Sequence, residues 1–214
     1  MKKIVFLFCV FYSINLKAFN SNDLQKALII SERLNLGEYL TPKELSLENA
    51  DLSGANLGGF NLSWAYLVGA NLEAANLNSA NLSYAFLRGA RLSRATLIKA
   101  TLFHAFASGS FWDWADCSNA DMHEIFLDNA NLISAKFNNV NLANAFLWLA
   151  NFTSADLIGA NLTGADLTQS ILRGVTLVDV SWDGASLACA AFSKRCLTEQ
   201  QRAYVDSQGA FIEP

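Results

Sequence analysis

Apolar residues recur every five positions along most of the chain. From Leu45 to Lys194 the sequence divides into thirty rows of five, without insertion or deletion. We call the central apolar residue of each row position i. Position i is Leu in 22 rows and position i−2 is Ala in 22 rows, while the other positions are mostly Asn, Asp, Ser, Thr or Gly. The pattern therefore predicts that positions i and i−2 point inward.

A period of five belongs to neither a helix nor a single strand. One row cannot bury its apolar pair alone, so the rows must stack around a shared interior, as in other repeat architectures. The preference for Ala at i−2 indicates a tight corner, which a larger side chain would overpack. Residues 45–194 are therefore predicted to form an all-β solenoid.

The rows resemble the consensus A(D/N)Lxx of the pentapeptide-repeat family. Clear examples are Ala50 to Gly54, which read ADLSG, and Ala160 to Gly164, which read ANLTG. The resemblance covers about seven-tenths of the chain. It implies a right-handed quadrilateral β-helix with four pentapeptides per coil. Thirty rows then make about seven and a half coils, and a rod about 36 Å tall at the usual strand spacing.

Aromatic residues support four rows per coil independently of the resemblance. At position i−1 they recur at every fourth row and would form one vertical ladder about 4.8 Å apart. We call this set the aromatic ladder: Tyr66, Phe86, Phe106, Phe126 and Phe146. A second set with the same spacing lies at i+2 of the rows before the first three rungs. We call it the corner stack: Trp64, Tyr84 and His104.

The candidate partner-binding surface consists of the aromatic ladder and its exposed neighbours. These neighbours are Trp64, Tyr84 and, at the upper end, Trp148 with Leu149. Contiguous exposed aromatic side chains often mark a binding site. The candidate partner is an unidentified protein or a second copy of the chain. Two other interpretations remain: the stacked rings stabilise the face by contacts of about 0.5–1.5 kcal/mol each, or they hold a carbohydrate or small ligand.

The middle of the array departs most from the consensus. Trp112 occupies position i, and the rows on either side have the small residues Ala107 and Cys117 there. This combination is typical of volume compensation in a close-packed core. We therefore predict that Trp112 points inward and serves packing.

The charges form two adjacent bands. Basic residues lie within one coil, at Arg88, Arg91, Arg94 and Lys99, and acidic residues follow in the next, at Asp113, Asp116, Asp121, Glu124 and Asp128. A basic coil followed by an acidic coil predicts ion pairs between the two coils. The alternative is that the basic residues form a surface that binds an anionic partner. The net charge of −4 is small, and the sequence has no long run of like charges. The charges therefore do not indicate a nucleic-acid partner.

Candidate chemistry is sparse. His104 lies four rows before Glu124, and His123 is adjacent to Glu124, so these ligand types could meet on one face. However, the chain has only two histidines, and neighbouring residues on a strand point apart. No nucleophile elbow, phosphate-binding loop or dinucleotide fingerprint is present. We expect no enzyme activity, no cofactor and no metal.

The N-terminus has the pattern of a secretory signal. Lys2 and Lys3 precede an apolar run from Ile4 to Ile14, and Ala18 offers a cleavage site. The run is shorter than the roughly 20 residues that span a bilayer. Residues 1–18 are therefore predicted to be a signal peptide, and the mature protein to be periplasmic or secreted without an integral membrane span. A buried N-terminal helix is the alternative.

Short segments flank the array on both sides. Residues 19–44 contain a helical pattern from Asn22 to Leu34, and residues 195–214 contain Thr198 and Gln201 at the spacing of a capping box. A solenoid needs its ends covered because its terminal coils expose apolar groups and unpaired backbone. Both segments are predicted to be capping helices.

The remaining cysteines leave one candidate disulfide. Cys117 is predicted to be inward, so only Cys189 and Cys196 could form a bridge that ties the C-terminal segment to the last coil. Two separate thiols are the alternative.

Two function classes follow. The first is a non-enzymatic interaction or scaffold module. The second comes from the resemblance, which implies for one branch of the family a DNA-mimicking inhibitor or protector of DNA gyrase. The modest charge, the absence of an interrupting loop and the predicted export disfavour the second class. Dimerisation through the C-terminal helix is a further implication of the resemblance.

Overall fold

The computed structural model describes residues 21–214, so the predicted signal peptide at residues 1–18 lies outside the described part. Helix α1 (Ser21–Asn35) comes first, followed by the rows of five. Strands β1 (Ile171–Leu172) and β2 (Ala191–Ser193) lie within the last rows, and a 3-10 helix (Lys194–Cys196), helix α2 (Glu199–Ser207) and strand β3 (Phe211–Glu213) follow. The three strands form one parallel sheet in the order β1-β2-β3. Among the described helices, none is long and apolar enough to cross a membrane.

Parallel bridges join residues that lie four rows apart throughout the array. Asp51 bridges to Asn71 and Asn71 to Arg91, and the same step recurs on all four sides of the rod. Each turn of the chain therefore takes four pentapeptides, as the spacing of the aromatic residues predicts.

Most backbone hydrogen bonds of a row run between coils. The N–H of Leu52 at i donates to the carbonyl of Asn71 at 2.8 Å, and the N–H of Gly54 at i+2 donates to Glu73 at 2.7 Å. In the opposite direction, Asn71 N–H donates to Ala50 at 2.9 Å. These bonds hold adjacent coils in one register, so each column of the rod contains one position of the row.

A tight turn ends each row. Its N–H donor is the next i−2 residue, as between Ala55 and the carbonyl of Leu52 at 3.0 Å. The i+2 residue takes a positive φ, for example +61° at Gly54. A turn with positive φ at its third residue favours Gly or Asn, which explains why these residues are frequent at i+2.

The preference for Asn or Asp at i−1 has a hydrogen-bonding cause. The N–H of i+1 is the one backbone donor of a row that neither the bonds between coils nor the turn uses. A side-chain oxygen at i−1 accepts it, as Asn71 does from Glu73 at 3.2 Å and Asn81 from Ser83 at 3.0 Å. The consensus polar residue therefore completes the hydrogen bonding of its own row.

The interior is filled by the predicted inward residues. Positions i and i−2 are buried along the array, including Trp112, Phe137 and Phe152. Towards the last coil the packing loosens, since Trp182 at i is only partly buried and packs against Phe192 and Tyr204. The prediction that Trp112 points inward is confirmed.

Both helices supply partners to the ends of the array. From α1, the Asp23 carboxylate accepts the N–H of Asp51 at 3.0 Å and the Ser31 hydroxyl accepts that of Asn61 at 2.9 Å. Coils further along use the carbonyl of the preceding coil for these donors. Helix α2 begins with the predicted capping box of Thr198. Two of its side chains donate hydrogen bonds to the last coil. Gln201 donates to the Leu177 carbonyl at 2.9 Å, and Tyr204 donates to the Trp182 carbonyl at 3.2 Å.

Candidate functional site

The aromatic ladder forms a continuous stack on one side of the rod. Its successive ring centroids are 4.5, 5.1, 5.0 and 4.5 Å apart from Tyr66 to Phe146, and the angles between the ring planes are 20° or less. Offset-stacked aromatic pairs have centroids at such distances. The lower four rings are half-buried, whereas Phe146 is 43% exposed.

The rows of the aromatic ladder lack one hydrogen bond that rows with Asn or Asp at i−1 can make. An aromatic residue at i−1 cannot accept the N–H of i+1, and in the ladder rows these N–H groups have no acceptor among the described residues. They belong to the column beside the ladder, which we call the flanking column: Val68, Arg88, Ser108, Asp128 and Trp148. Water or a partner must satisfy them, since an amide hydrogen bond contributes about 0.5–1.5 kcal/mol.

The corner stack lies on the other side of the ladder. The rings of Trp64 and Tyr84 are 4.3 Å apart and almost parallel at 4°, and Tyr84 stacks on His104 at 5.5 Å. His104 in turn faces Phe126 at 6.1 Å, which joins the corner stack to the ladder. Trp64 is 48% exposed. The ladder and the corner stack thus form one aromatic face.

The corner-stack residues adopt an unfavourable backbone conformation. Their φ angles are +62° at Trp64, +60° at Tyr84 and +54° at His104. Left-handed backbone costs roughly 1–2 kcal/mol for a residue with a Cβ. The same φ recurs at i+2 along the array, for example +60° at Arg94 and Lys99, so the cost belongs to the turn of the row and not to the rings.

The two histidines and their carboxylates form two separate pairs. His104 Nε2 lies 3.0 Å from Glu124 Oε2, and His123 Nδ1 lies 2.7 Å from Asp121 Oδ1. Phe103, which sequence reasoning missed, stacks on His123 at 4.2 Å. Its position, four rows before His123, was the available signal. No group of three metal-ligating side chains occurs in residues 21–214.

Trp148 and Leu149 lie at the upper end of the ladder, as predicted. Both are exposed, at 44% and 39%. Trp148 is the last member of the flanking column, and its indole makes no ring contact among the described residues.

The predicted ion pairs between the two charge bands are not formed. Arg91 reaches back to Glu73 at 3.8 Å, and Asp116 pairs with Lys136 in the next coil at 3.7 Å. Arg94 lies over the ring of Trp114 at 5.9 Å. Contacts along the rod join residues four rows apart, so the neighbours of each charge are set by that step. Within the described chain, no ion pair joins one band to the other.

A smaller aromatic patch on another side escaped sequence reasoning. Phe111 and Trp114 are 45% and 58% exposed, on either side of Asp113. They belong to the same row as the buried Trp112, and the four-row pattern does not mark them.

The candidate disulfide is not formed: Cys189 and Cys196 are free thiols. Cys189 lies at the corner before strand β2 and Cys196 in the 3-10 helix after it. Bridged cysteines require Cα atoms about 4.4–6.8 Å apart, and an extended strand rises about 3.3 Å per residue. The strand therefore holds the two thiols apart. Cys117 is the third free thiol and is buried, as predicted.

Parallel bridges at every fourth row, a tight turn in each row and a filled interior define a β-solenoid built from pentapeptides, with an aromatic face as its candidate site. A family model for pentapeptide repeats matches residues 46–83, 75–110, 113–148 and 135–174, in 8 copies. The chain belongs to the pentapeptide-repeat family. A comparison with curated proteins found no match.

Several solved structures are similar to the chain. HetL of Nostoc sp. strain PCC 7120, described as a pentapeptide repeat protein involved in heterocyst differentiation regulation, is 26% identical. It aligns over 68% of this chain and 86% of its own, with a TM-score of 0.30. Rfr23 of the cyanobacterium Cyanothece 51142 is 23% identical over 87% of this chain and all (100%) of its own, with a TM-score of 0.31. QnrB1, a plasmid-mediated fluoroquinolone resistance protein, is 23% identical over 77% and 78%, with a TM-score of 0.44. The family assignment rests on the repeat match.

Proposed function

We propose that this protein is an exported, non-enzymatic interaction module that binds a protein partner or a second copy of itself through its aromatic face. The observation that supports the proposal best is the continuous aromatic face, in which the corner stack lies beside the ladder and Trp64 and Phe146 are exposed. Neither a row's hydrogen bonding nor its turn favours these residues. The signal peptide predicted at residues 1–18 would place the mature protein in the periplasm or outside the cell.

We also propose that the array makes about seven and a half coils, with α1 and α2 as its caps. The bonds from Asp23 and Ser31 to the first coil support this role. Capped ends prevent rods from stacking end to end, so binding would occur on the sides. Asp23→Ala with Ser31→Ala should then promote concentration-dependent elongation, measured by light scattering, while a variant that stays monodisperse would contradict the cap.

The test of the binding face is the double variant Phe106→Asn and Phe126→Asn. Asn is the consensus residue at i−1 and can accept the local N–H, so circular dichroism and the melting temperature should remain close to wild type. We expect the variant to lose self-association or partner capture by the mature protein. The matched control is Phe111→Asn, which changes an i−1 aromatic residue on another side and should retain binding. Binding unchanged in the double variant would contradict the proposal.

Fractionation tests export separately. An epitope-tagged full-length chain should be recovered outside the cytoplasm, shortened by residues 1–18. Cytoplasmic recovery at full length would contradict the export part of the proposal and leave the binding face untouched.

The gyrase alternative requires a dense acidic surface that replaces phosphates. The acidic side chains here are dispersed and mostly have local partners: Asp113 binds Ser93 and Asn131, and Asp116 faces Lys136. A gyrase supercoiling assay discriminates between the two functions. Inhibition by protein that also resides in the cytoplasm would favour the alternative.

A further inference from the structure

The aromatic face presents ring edges to solvent. Each inner ring of the ladder has both faces covered by its neighbours, at 4.5–5.1 Å. A ligand that stacks on ring faces, such as a sugar, therefore finds them covered along most of the ladder. A partner that places one side chain opposite each ring edge needs the same axial repeat, close to the roughly 4.7–4.9 Å that separates neighbouring strands. A second rod of this chain has that repeat.

The flanking column has two charges without a partner in the protomer. Arg88 is exposed and makes no ion pair within the described residues. Asp128 accepts a hydrogen bond from Ser108 at 2.6 Å and likewise faces no cation in the described chain. Arg88 lies one coil below Ser108 and Asp128 one coil above it. The flanking column therefore has a positive charge below the level of Phe106 and a negative charge at the same distance above it.

We infer that a second copy of this chain binds the aromatic face with the two rods antiparallel, related by a two-fold axis at the level of Phe106. The inference rests on the proposed function of the ladder and specifies its partner. A two-fold axis that lies in the interface and crosses the rods reverses the levels but keeps each column opposite itself. Arg88 then faces Asp128 of the second copy, and the reverse pair forms by symmetry.

The same axis matches the other columns. The five rungs are centred on Phe106, so every ring of the ladder meets a ring of the second copy. In the flanking column, Val68 faces the exposed Trp148 of the second copy. In the corner stack, Tyr84 faces Glu124 of the second copy, where its hydroxyl can donate to the carboxylate.

A parallel arrangement is disfavoured by the same charges. A two-fold axis along the rods would keep the levels and exchange the columns on either side of the ladder. Asp128 would then face Glu124 of the second copy, and Arg88 would face Tyr84. Like charges opposite each other oppose association, so the charge pattern selects the antiparallel arrangement.

Sedimentation velocity between about 1 and 200 µM tests the association. We expect a monomer–dimer equilibrium in the micromolar range, because the ladder extends only about 19 Å along the rod. Arg88→Asp alone should weaken the dimer at least tenfold, and Arg88→Asp with Asp128→Arg should restore it. The matched control, Asp116→Lys with Lys136→Asp, reverses an ion pair on another side and should leave the dimer unchanged.

Cysteine cross-linking tests the register in a Cys189→Ser, Cys196→Ser background. Ser108→Cys lies next to the two-fold axis and should form a disulfide-linked dimer on mild oxidation. Arg88→Cys and Asp128→Cys should link only when the two variants are mixed. Linking of Arg88→Cys to itself, or no linking of Ser108→Cys, would refute the antiparallel register.

The outcomes separate this inference from the proposed function. A wild-type protein that remains monomeric at about 200 µM overturns the second copy as partner. If that monomer still captures another protein, and Phe106→Asn with Phe126→Asn abolishes the capture, the binding face stands. If the double variant changes neither association nor capture, both are refuted.

Discussion

Replacing Trp112 by Leu should lower the stability of the rod, although Leu is the consensus residue at position i. The indole is fully buried between rows whose i residues, Ala107 and Cys117, are small. Its Nε1–H donates to Ser110 Oγ at 2.5 Å, and this hydroxyl donates to the carbonyl of Ala107. Ser110 occupies an i−2 position where most rows have Ala, so the two departures from the consensus form one unit.

The expected loss follows from volume and contact. Leu is smaller than Trp by about 60 Å³, and a cavity of that size costs about 1.5 kcal/mol at roughly 24 cal/mol per Å³. The apolar atoms removed add about 1 kcal/mol of transfer free energy. Ser110 keeps its bond to Ala107, so the loss of the indole donor adds little. The sum, about 2–3 kcal/mol, corresponds to a decrease in Tm of about 4–12 °C for a chain of this length.

Differential scanning calorimetry measures the effect. Phe137→Leu is the matched control, because Phe137 is also a fully buried i residue without a polar bond, and it should cost less than half as much. In a second arm, Ser110→Ala should cost about 1–3 kcal/mol in the wild type by leaving the indole N–H unpaired. The same change should be close to neutral once Trp112 is Leu. A Trp112→Leu protein as stable as wild type, or strictly additive costs, would refute the reasoning.

Two further predictions concern thiol reactivity and pH. Burial raises the pKa of the Cys117 thiol, so a maleimide should label Cys189 and Cys196 in the native protein and Cys117 only after denaturation; no native labelling would indicate a bridge instead. Bonds from Arg33 and then Thr41 lower the pKa of Glu44 from 4.5 to about 2. A lowered folded-state pKa stabilises the fold above the unfolded value, so the Tm difference between wild type and Glu44→Gln should persist at neutral pH and vanish as the pH falls from about 4.5 to 2. A difference independent of pH would contradict the pairing.

The features that follow the four-row step could be predicted from the sequence. The ladder from Tyr66 to Phe146 is visible because five aromatic residues share one position of the row. The inward Trp112 could be predicted because its neighbours at i are small. In both cases the position within the row determines whether a side chain points inward or outward. The four-row coil then determines which residues lie next to it.

The predictions that the structure contradicts do not follow the four-row step. The step places Trp114 next to Arg94 and Lys136 next to Asp116, so the two charge bands do not pair as blocks. Cys189 and Cys196 are close in sequence, but the extended strand between them separates their thiols. The bond between Ser110 and Trp112 could not be predicted, because one Ser among many Ala residues resembles ordinary variation until the rotamer of the indole is known.

The corner stack links the fold of the rod to its proposed function. Left-handed backbone at Trp64 and Tyr84 costs roughly 1–2 kcal/mol per residue, while the stack between their rings returns about 0.5–1.5 kcal/mol for the pair. The balance is unfavourable or near zero, and Gly serves the same turn at Gly89 and Gly109, with φ of +64° at both. Arg94 and Lys99 bear the same turn with φ of +60° at both, so what sets Trp64 and Tyr84 apart is that their rings stack at 4.3 Å beside the ladder. The proposed binding function accounts for this stack and for the ladder together, as one aromatic face along the rod.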